Sequence, residues 1–290
     1  MGHEATLAGL RSALDSVDYL VDDGLAMALY LAQRLGQPLL LEGEPGVGKT
    51  TAAKALAEVL QTPLLRLQCY EGITAAEALY EWNYPRQILS IRLAEAEHVA
   101  LHDDDLFTSE FLLDRPLMRA IRHEGDQPAV LLIDEIDRAD DEFEALLLEF
   151  LGECAVTVPE IGTFRPQQRP VVIVTSNRSR ELHDALKRRC FYHWIEFPTI
   201  ERATDIVRRR VPDAETALAT SATAFVAGSR SLDLDKPAGL AETIDWVSAL
   251  NALGVSQLDR TAGRATLGAI AKTPDDLEIL GAALDEAVSC

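Results

Sequence analysis

Pro38-Leu39-Leu40-Leu41-Glu42 runs into Gly43-Glu44-Pro45-Gly46-Val47-Gly48-Lys49-Thr50, and that into Thr51-Ala52-Ala53-Lys54-Ala55-Leu56-Ala57-Glu58-Val59-Leu60. The first segment is apolar and of strand length. The third is rich in good helix formers. The eight residues between them fit G-x-x-x-x-G-K-[ST], the phosphate-binding loop. A strand before it and a helix start after it supply the context the motif needs. Glycines let backbone amides approach phosphates, and a helix N-terminus adds favourable positive potential. The reading assigns Gly43, Glu44, Pro45, Gly46, Val47, Gly48, Lys49, Thr50 and Thr51 to nucleotide binding. Lys49 is expected to reach the β- and γ-phosphates of ATP, and the Thr50 hydroxyl to ligate Mg²⁺.

Working outward, Val130-Leu131-Leu132-Ile133 is a continuous apolar run, as in a strand buried on both faces of a parallel sheet. It ends in Asp134-Glu135. Asp134 is expected to hold Mg²⁺ and Glu135 to polarise the attacking water. The two acids also suit the start of a helix through Ile136. Further on, Val171-Val172-Ile173-Val174-Thr175 predicts another buried strand, with Ser176-Asn177 at its end. Ligands of open α/β sheets bind beyond the carboxyl ends of the strands, so Asn177 is expected to face the γ-phosphate. Leu186-Lys187-Arg188-Arg189-Cys190 follows a short helical stretch. Its arginines are either surface charge or an arginine finger acting on a neighbouring subunit's nucleotide. Arg189 is favoured, with Arg188 sharing that role or binding the neighbour.

These elements resemble the AAA+ ATPases in order and approximate spacing: Walker A at 43–50, Walker B at 130–135, sensor 1 at Asn177 and a finger at Arg188/Arg189. Within AAA+ the chain looks like the MoxR family. Three segments look closer still to its CoxD-like branch: Leu131 through Ala139, Glu181 through Cys190, and Glu77-Ala78-Leu79-Tyr80-Glu81-Trp82-Asn83-Tyr84-Pro85. The resemblance covers most of residues 17–250. It implies an AAA+ P-loop core, a five-stranded parallel sheet flanked by helices, followed by a small all-α lid domain. It also implies a ring-shaped homo-oligomer, a hexamer in the family. The implied work is on maturation of a metalloenzyme, molybdenum-dependent in that branch, with a von Willebrand-A-type partner.

The family's lead-in segment packs near the adenine, which makes Tyr19, Leu20 and Val21 base-contact candidates; core packing is the alternative. Gln68 ends a strand where many AAA+ proteins carry a polar residue that contacts the catalytic glutamate. MoxR proteins usually carry a sensor 2 arginine in a Ser-Pro-Arg-like stretch. Here the matching region reads Asp235-Lys236-Pro237-Ala238-Gly239-Leu240-Ala241-Glu242. Lys236 either supplies the charge, as a point charge rather than a fork, or is a solvated residue before the helix.

The net charge is −20 over 290 residues. Such a surplus repels a phosphate backbone and argues against a nucleic-acid partner. Arg208-Arg209-Arg210 fits the solvated face of a helix. Four cysteines, far apart and without a C-x-x-C pair, do not suggest a disulfide framework or a zinc site. His98 and His102 read as i,i+4 neighbours on a helix surface. Met1-Gly2-His3-Glu4 lacks the pattern of a signal peptide, though it opens a weak myristoylation match with Thr6. Leu25 to Leu35 is too short and too polar to span a bilayer. The expected location is cytoplasmic, without membrane insertion.

The pattern predicts a helix within 1–17 and another over 23–35, then strands near 38–42, 64–68, 129–134, 171–175 and 192–196, with helices between. Alternation of this kind calls for a parallel sheet. Two insertions stand out. Residues 72–93 carry Tyr80, Trp82 and Tyr84, either half-buried core aromatics or a working surface. Residues 154–170 predict a β-hairpin. The core is expected over 1–198 and the lid over 199–290. Within the lid, Thr199 caps a helix to Arg210, Pro237 opens a second helix and Thr273-Pro274 a third. The composite is an ATP-driven remodeller of another protein. The readings set against it are a nucleotide-dependent binding switch with little turnover and, less well matched, a small-molecule kinase.

Overall fold

The computed structural model describes residues 6–98, 100 and 102–288. Its strands are β1 (Leu39–Gly43), β2 (Leu64–Gln68), β3 (Tyr80–Trp82), β4 (Leu112–Asp114), β5 (Val130–Asp134), β6 (Val156–Val158), β7 (Gly162–Phe164), β8 (Val171–Ser176) and β9 (Phe191–Ile195). Five of them form one parallel sheet in the order β2-β5-β8-β1-β9, flanked by helices. Every residue of β1, β5 and β8 is buried, which is why these stretches read as unbroken apolar runs. β2 lies at an edge and alternates, with Leu65 and Leu67 buried and Arg66 exposed.

Register positions the chemistry. Gln68 pairs with Asp134 across β2 and β5. Leu41 pairs with Thr175, and Glu42 with Ser176, across β1 and β8. The carboxyl ends of the adjacent strands β5 and β8 therefore carry Asp134-Glu135 and Ser176-Asn177.

The chain divides into two compact units. Among the described residues, one comprises 6–13, Asp22–Glu42 and Ala53–His193; the other comprises Leu14–Val21, Gly43–Ala52 and 194–288. In the first, a core including Leu40, Leu131, Ile133, Val174, Leu147 and Phe150 lies against the sheet. The helix Asp23–Leu35 shows how local chemistry sets its ends. Asp22 accepts the Leu25 N–H at 2.7 Å, and Gly36 closes it in the left-handed conformation at φ 63°. In the second unit, Trp246 is fully buried among Phe225, Leu218, Leu250 and Leu284. Its Nε1 donates to Thr266 Oγ1 at 2.8 Å, so the indole is buried without an unsatisfied donor. Among the described residues no helix is long and apolar enough to cross a membrane.

The first predicted helix is seen as Leu7–Ser16; the Met1-Gly2 match lies outside the described residues. The 154–170 insertion is a hairpin of β6 and β7, with Thr157 and Thr163 bonded across it. In the 72–93 insertion Trp82 belongs to the core, whereas Tyr84 is exposed. Thr199 caps Ile200–Arg210 as expected.

Three expectations need correcting. His98 and His102 share no helix: His98 is the left-handed cap of Tyr84–Glu97, and His102 precedes the separate turn Asp103–Leu106. Glu135 does not open an α-helix, because Ile136–Arg138 is a single 3₁₀ turn and the α-helix begins at Asp141. Pro237 is not a first helical residue. The helix is Leu240–Ala252, with Gly239 as its cap and the Glu242 carboxylate accepting the Gly239 N–H. That bond satisfies an N–H at the helix start, a donor that a proline in the cap position would lack, so the start lies three residues on from Pro237.

Candidate nucleotide site

The loop Gly43–Gly48 feeds the helix Lys49–Val59. Gly46 and Gly48 sit at φ +78° and +98°, where a side chain is strained. A Cβ on Gly48 would meet nothing within 4 Å, so the backbone there is open to a close ligand. Lys49 is buried, and its Nζ donates to the carbonyls of Gly43 at 2.6 Å and Glu44 at 2.8 Å. The ammonium is thereby held over the loop. Val47 is buried while Glu44, Pro45 and Thr51 are exposed; Thr50 is half-buried at the helix start.

Gly46 also touches the start of Leu240–Ala252. The Leu240 N–H donates to Gly46 O at 3.2 Å. A Cβ on Gly239 would stand 2.9 Å from both Gly46 Cα and Pro45 O. Gly239→Ala should therefore cost about 1–3 kcal/mol as an overpacked contact, read as a lower denaturant midpoint. Gly228→Ala is the control: its Cβ would meet nothing within 4 Å, so its midpoint should not fall. Lys236 is exposed, its backbone N–H donating to Asp276 at 3.3 Å. Tyr19, Leu20 and Val21 are half-buried, and Leu20 O accepts from Arg202 at 2.8 Å.

In the first unit the acids at the end of β5 form a connected network. Asp134 is 2 % exposed. Its Oδ1 accepts the Thr175 hydroxyl at 2.6 Å, and the Glu135 N–H donates to that same hydroxyl at 2.9 Å. Its Oδ2 accepts from Arg66 Nε at 2.9 Å and Nη2 at 2.6 Å. A cation already sits on this carboxylate, so the site is built to hold positive charge. Glu135 adopts the left-handed conformation at φ 56°, ψ 50°, an arrangement costing about 1–3 kcal/mol that tends to persist at working sites. Its carboxylate accepts from Gln68 Nε2 at 3.0 Å and Asn177 Nδ2 at 3.5 Å, and pairs with Arg138 at 3.1 Å.

Asp137 anchors the turn that carries Asn177. Its carboxylate accepts the N–H groups of Asn177 and Ser179 and the Ser179 hydroxyl. Burial pushes the Asp137 carboxyl up, but the Ser179 and Asn177 donors outweigh it and hold the group below its ordinary value. Cys69 follows Gln68 on the neighbouring strand's end. Burial, then the charges of Asp134, Asp137 and Glu135, push its thiol up to about 12, which leaves it a poor nucleophile.

Residues 38–190, more than half the chain, match the model of the AAA domain (dynein-related subfamily). The chain belongs to this AAA family. A solved structure agrees in fold. A Thermotoga maritima RuvB variant matches at TM-score 0.50 and 18 % identity, over 91 % of this chain and 70 % of that one. The T. maritima RuvB described as a Holliday junction branch migration motor matches at TM-score 0.46 and 19 % identity, over 84 % and 66 %. No match was found among curated proteins.

Within the AAA domain, Arg188 and Arg189 follow the short helix Asp184–Lys187, and both are exposed. Arg189 Nη1 reaches Ala185 O at 3.5 Å. Exposure is what a group supplied to another subunit requires, and equally what plain surface charge shows.

The pattern of the sequence did not bring out Arg66, Thr175, Asp137 or Glu42 of the AAA domain. Glu42 is 5 % exposed, accepts from the Tyr192 hydroxyl at 3.1 Å and pairs with Arg178 at 3.7 Å. An acid ending the run Leu39-Leu40-Leu41 is a visible signal, since a buried carboxylate demands partners. Arg66 offered a similar signal, as the one charge inside Leu64-Leu65-Arg66-Leu67.

Proposed function

We propose that this AAA protein is an ATP-hydrolysing remodeller of another protein, of the MoxR type. The family generally uses ATP and Mg²⁺. Residues Gly43 through Thr51 would hold the phosphates, with Lys49 on the β- and γ-groups; Thr50 and Asp134 would hold Mg²⁺. A hydroxyl and a carboxylate are hard oxygen donors of the kind Mg²⁺ takes, and the guanidinium on Asp134 supports a cation site there. Bound Mg²⁺ would neutralise charge on the β- and γ-oxygens.

The observation that carries the reading is Glu135, held by Gln68 and Asn177 one residue beyond the buried Asp134. A carboxylate steered by Asn177, and let go by Gln68, would orient a water. Asn177 would serve as sensor 1, and Arg189, with Arg188, as the finger acting in trans in a ring, a hexamer by resemblance. Residues 199–290 would be the lid over a core of 1–198, with Tyr19, Leu20 and Val21 at the base and Lys236 in the sensor 2 role. Motion of a lid on hydrolysis is how phosphate chemistry would become work on a client. The client would be a metalloenzyme with a von Willebrand-A-type partner, in the cytoplasm. RuvB is described as a branch migration motor; a net charge of −20 disfavours carrying a DNA substrate over to this chain. A switch with little turnover is the second reading, and the grip of Gln68 and Arg138 on Glu135 favours it.

Lys49→Ala tests the nucleotide site. ATP at about a hundred times its dissociation constant should stabilise the wild type by ~2.7 kcal/mol, seen as a thermal shift, and the variant should lose that shift. An unchanged shift would contradict the assignment. A pull-down with Glu135→Gln, which should hold ATP, tests for a client.

A further inference from the structure

Arg66 stands two residues before Gln68 on β2, so both side chains leave the same face of the strand. From this half-exposed position its guanidinium reaches forward to the buried Asp134 carboxylate, at 2.6 Å from Nη2 and 2.9 Å from Nε. The same Nη2 donates to Gln68 Oε1. The Gln68 amide then donates from Nε2 to Glu135 Oε2 at 3.0 Å. One guanidinium thus ties the carboxylate assigned to the metal to the amide that holds the carboxylate assigned to the water.

We propose that Arg66 is a positioning residue that couples cation loading at Asp134 to the hold of Gln68 on Glu135. The inference rests on the proposed nucleotide site. The physical reason is competition. A divalent cation and a guanidinium seek the same carboxylate, and the divalent charge is attracted about twice as strongly at equal distance. A cation arriving at Asp134 loosens Arg66. Gln68 then loses a donor to its carbonyl, and its amide is free to turn away from Glu135. Without the cation the chain Asp134–Arg66–Gln68–Glu135 stays closed, and the Gln68 amide stays on the Glu135 carboxylate. The geometry therefore links metal occupancy to release of the catalytic carboxylate, with no change of backbone.

The test is the Mg²⁺ concentration that gives half of the thermal stabilisation by ADP, measured in wild type, Arg66→Met and Arg66→Lys. Arg66→Met keeps the apolar stem and removes the competitor. Its half-point should fall about fivefold, the size of a half-exposed ion pair. Arg66→Lys keeps the charge and should stay within about twofold of wild type. Arg66→Met should also change turnover in the wild-type background and leave it unchanged beside Gln68→Ala, because coupled residues are non-additive. Melting without nucleotide controls for folding, and the exposed position of Arg66 makes both variants tolerable. Equal Mg²⁺ half-points in all three proteins would overturn the coupling while leaving the nucleotide site standing. Absence of any ADP-dependent shift in wild type would overturn the nucleotide site and the coupling together.

Discussion

Glu135→Gln should keep nucleotide affinity while turnover falls by at least about 10², the scale of a lost general base. The substitution preserves length and shape and removes only the charge that polarises water. A drop of 10² corresponds to ~2.7 kcal/mol of transition-state stabilisation. The surroundings argue that binding survives, since Gln68, Asn177 and Arg138 hold the Glu135 side chain from within the acid network. Steady-state hydrolysis and ADP thermal shift measured side by side would separate the two effects. Turnover near wild type would move the catalytic role elsewhere and favour a switch.

Arg189→Ala should leave each protomer able to bind ATP and suppress hydrolysis by about 10³–10⁵, the span for a charge supplied in trans. Arg189 is exposed and its guanidinium makes a long bond to Ala185 O, so its removal should cost little stability. Mixing Arg189→Ala with Glu135→Gln subunits sharpens the test. Some interfaces of a mixed ring would pair an intact glutamate with an intact arginine, and those should recover partial activity. Each variant alone should have almost none. Normal hydrolysis by dilute Arg189→Ala monomer would refute both the finger and the ring.

Legibility followed range in the chain. The central strands of the sheet were readable because β1, β5 and β8 are short apolar runs that bury every residue. The phosphate loop was readable because its requirements are local: glycines, a lysine and a helix start within eight residues. The Gln68–Glu135 contact was expected from resemblance and is present at 3.0 Å. Pro237 is a strong local signal for the start of Leu240–Ala252, whereas the helix starts where the Glu242 carboxylate accepts the Gly239 N–H. His98 and His102 were misread because i,i+4 spacing means adjacency only if the helix continues, and His98 ends it in the left-handed conformation.

What the sequence determined by itself is the sheet's strands, the loop that joins β1 to its helix, and the order of acids and amides along the chain. These follow from hydrophobic runs and from backbone demands that a few neighbouring residues meet. The tertiary structure alone decided the partners. Arg66 reaches Asp134 from 68 positions away, and Thr175 bonds it from 41. Those meetings depend on β2 and β8 lying on either side of β5 in register, and pairing between distant strands is set by burial of the whole sheet rather than by either strand's own residues.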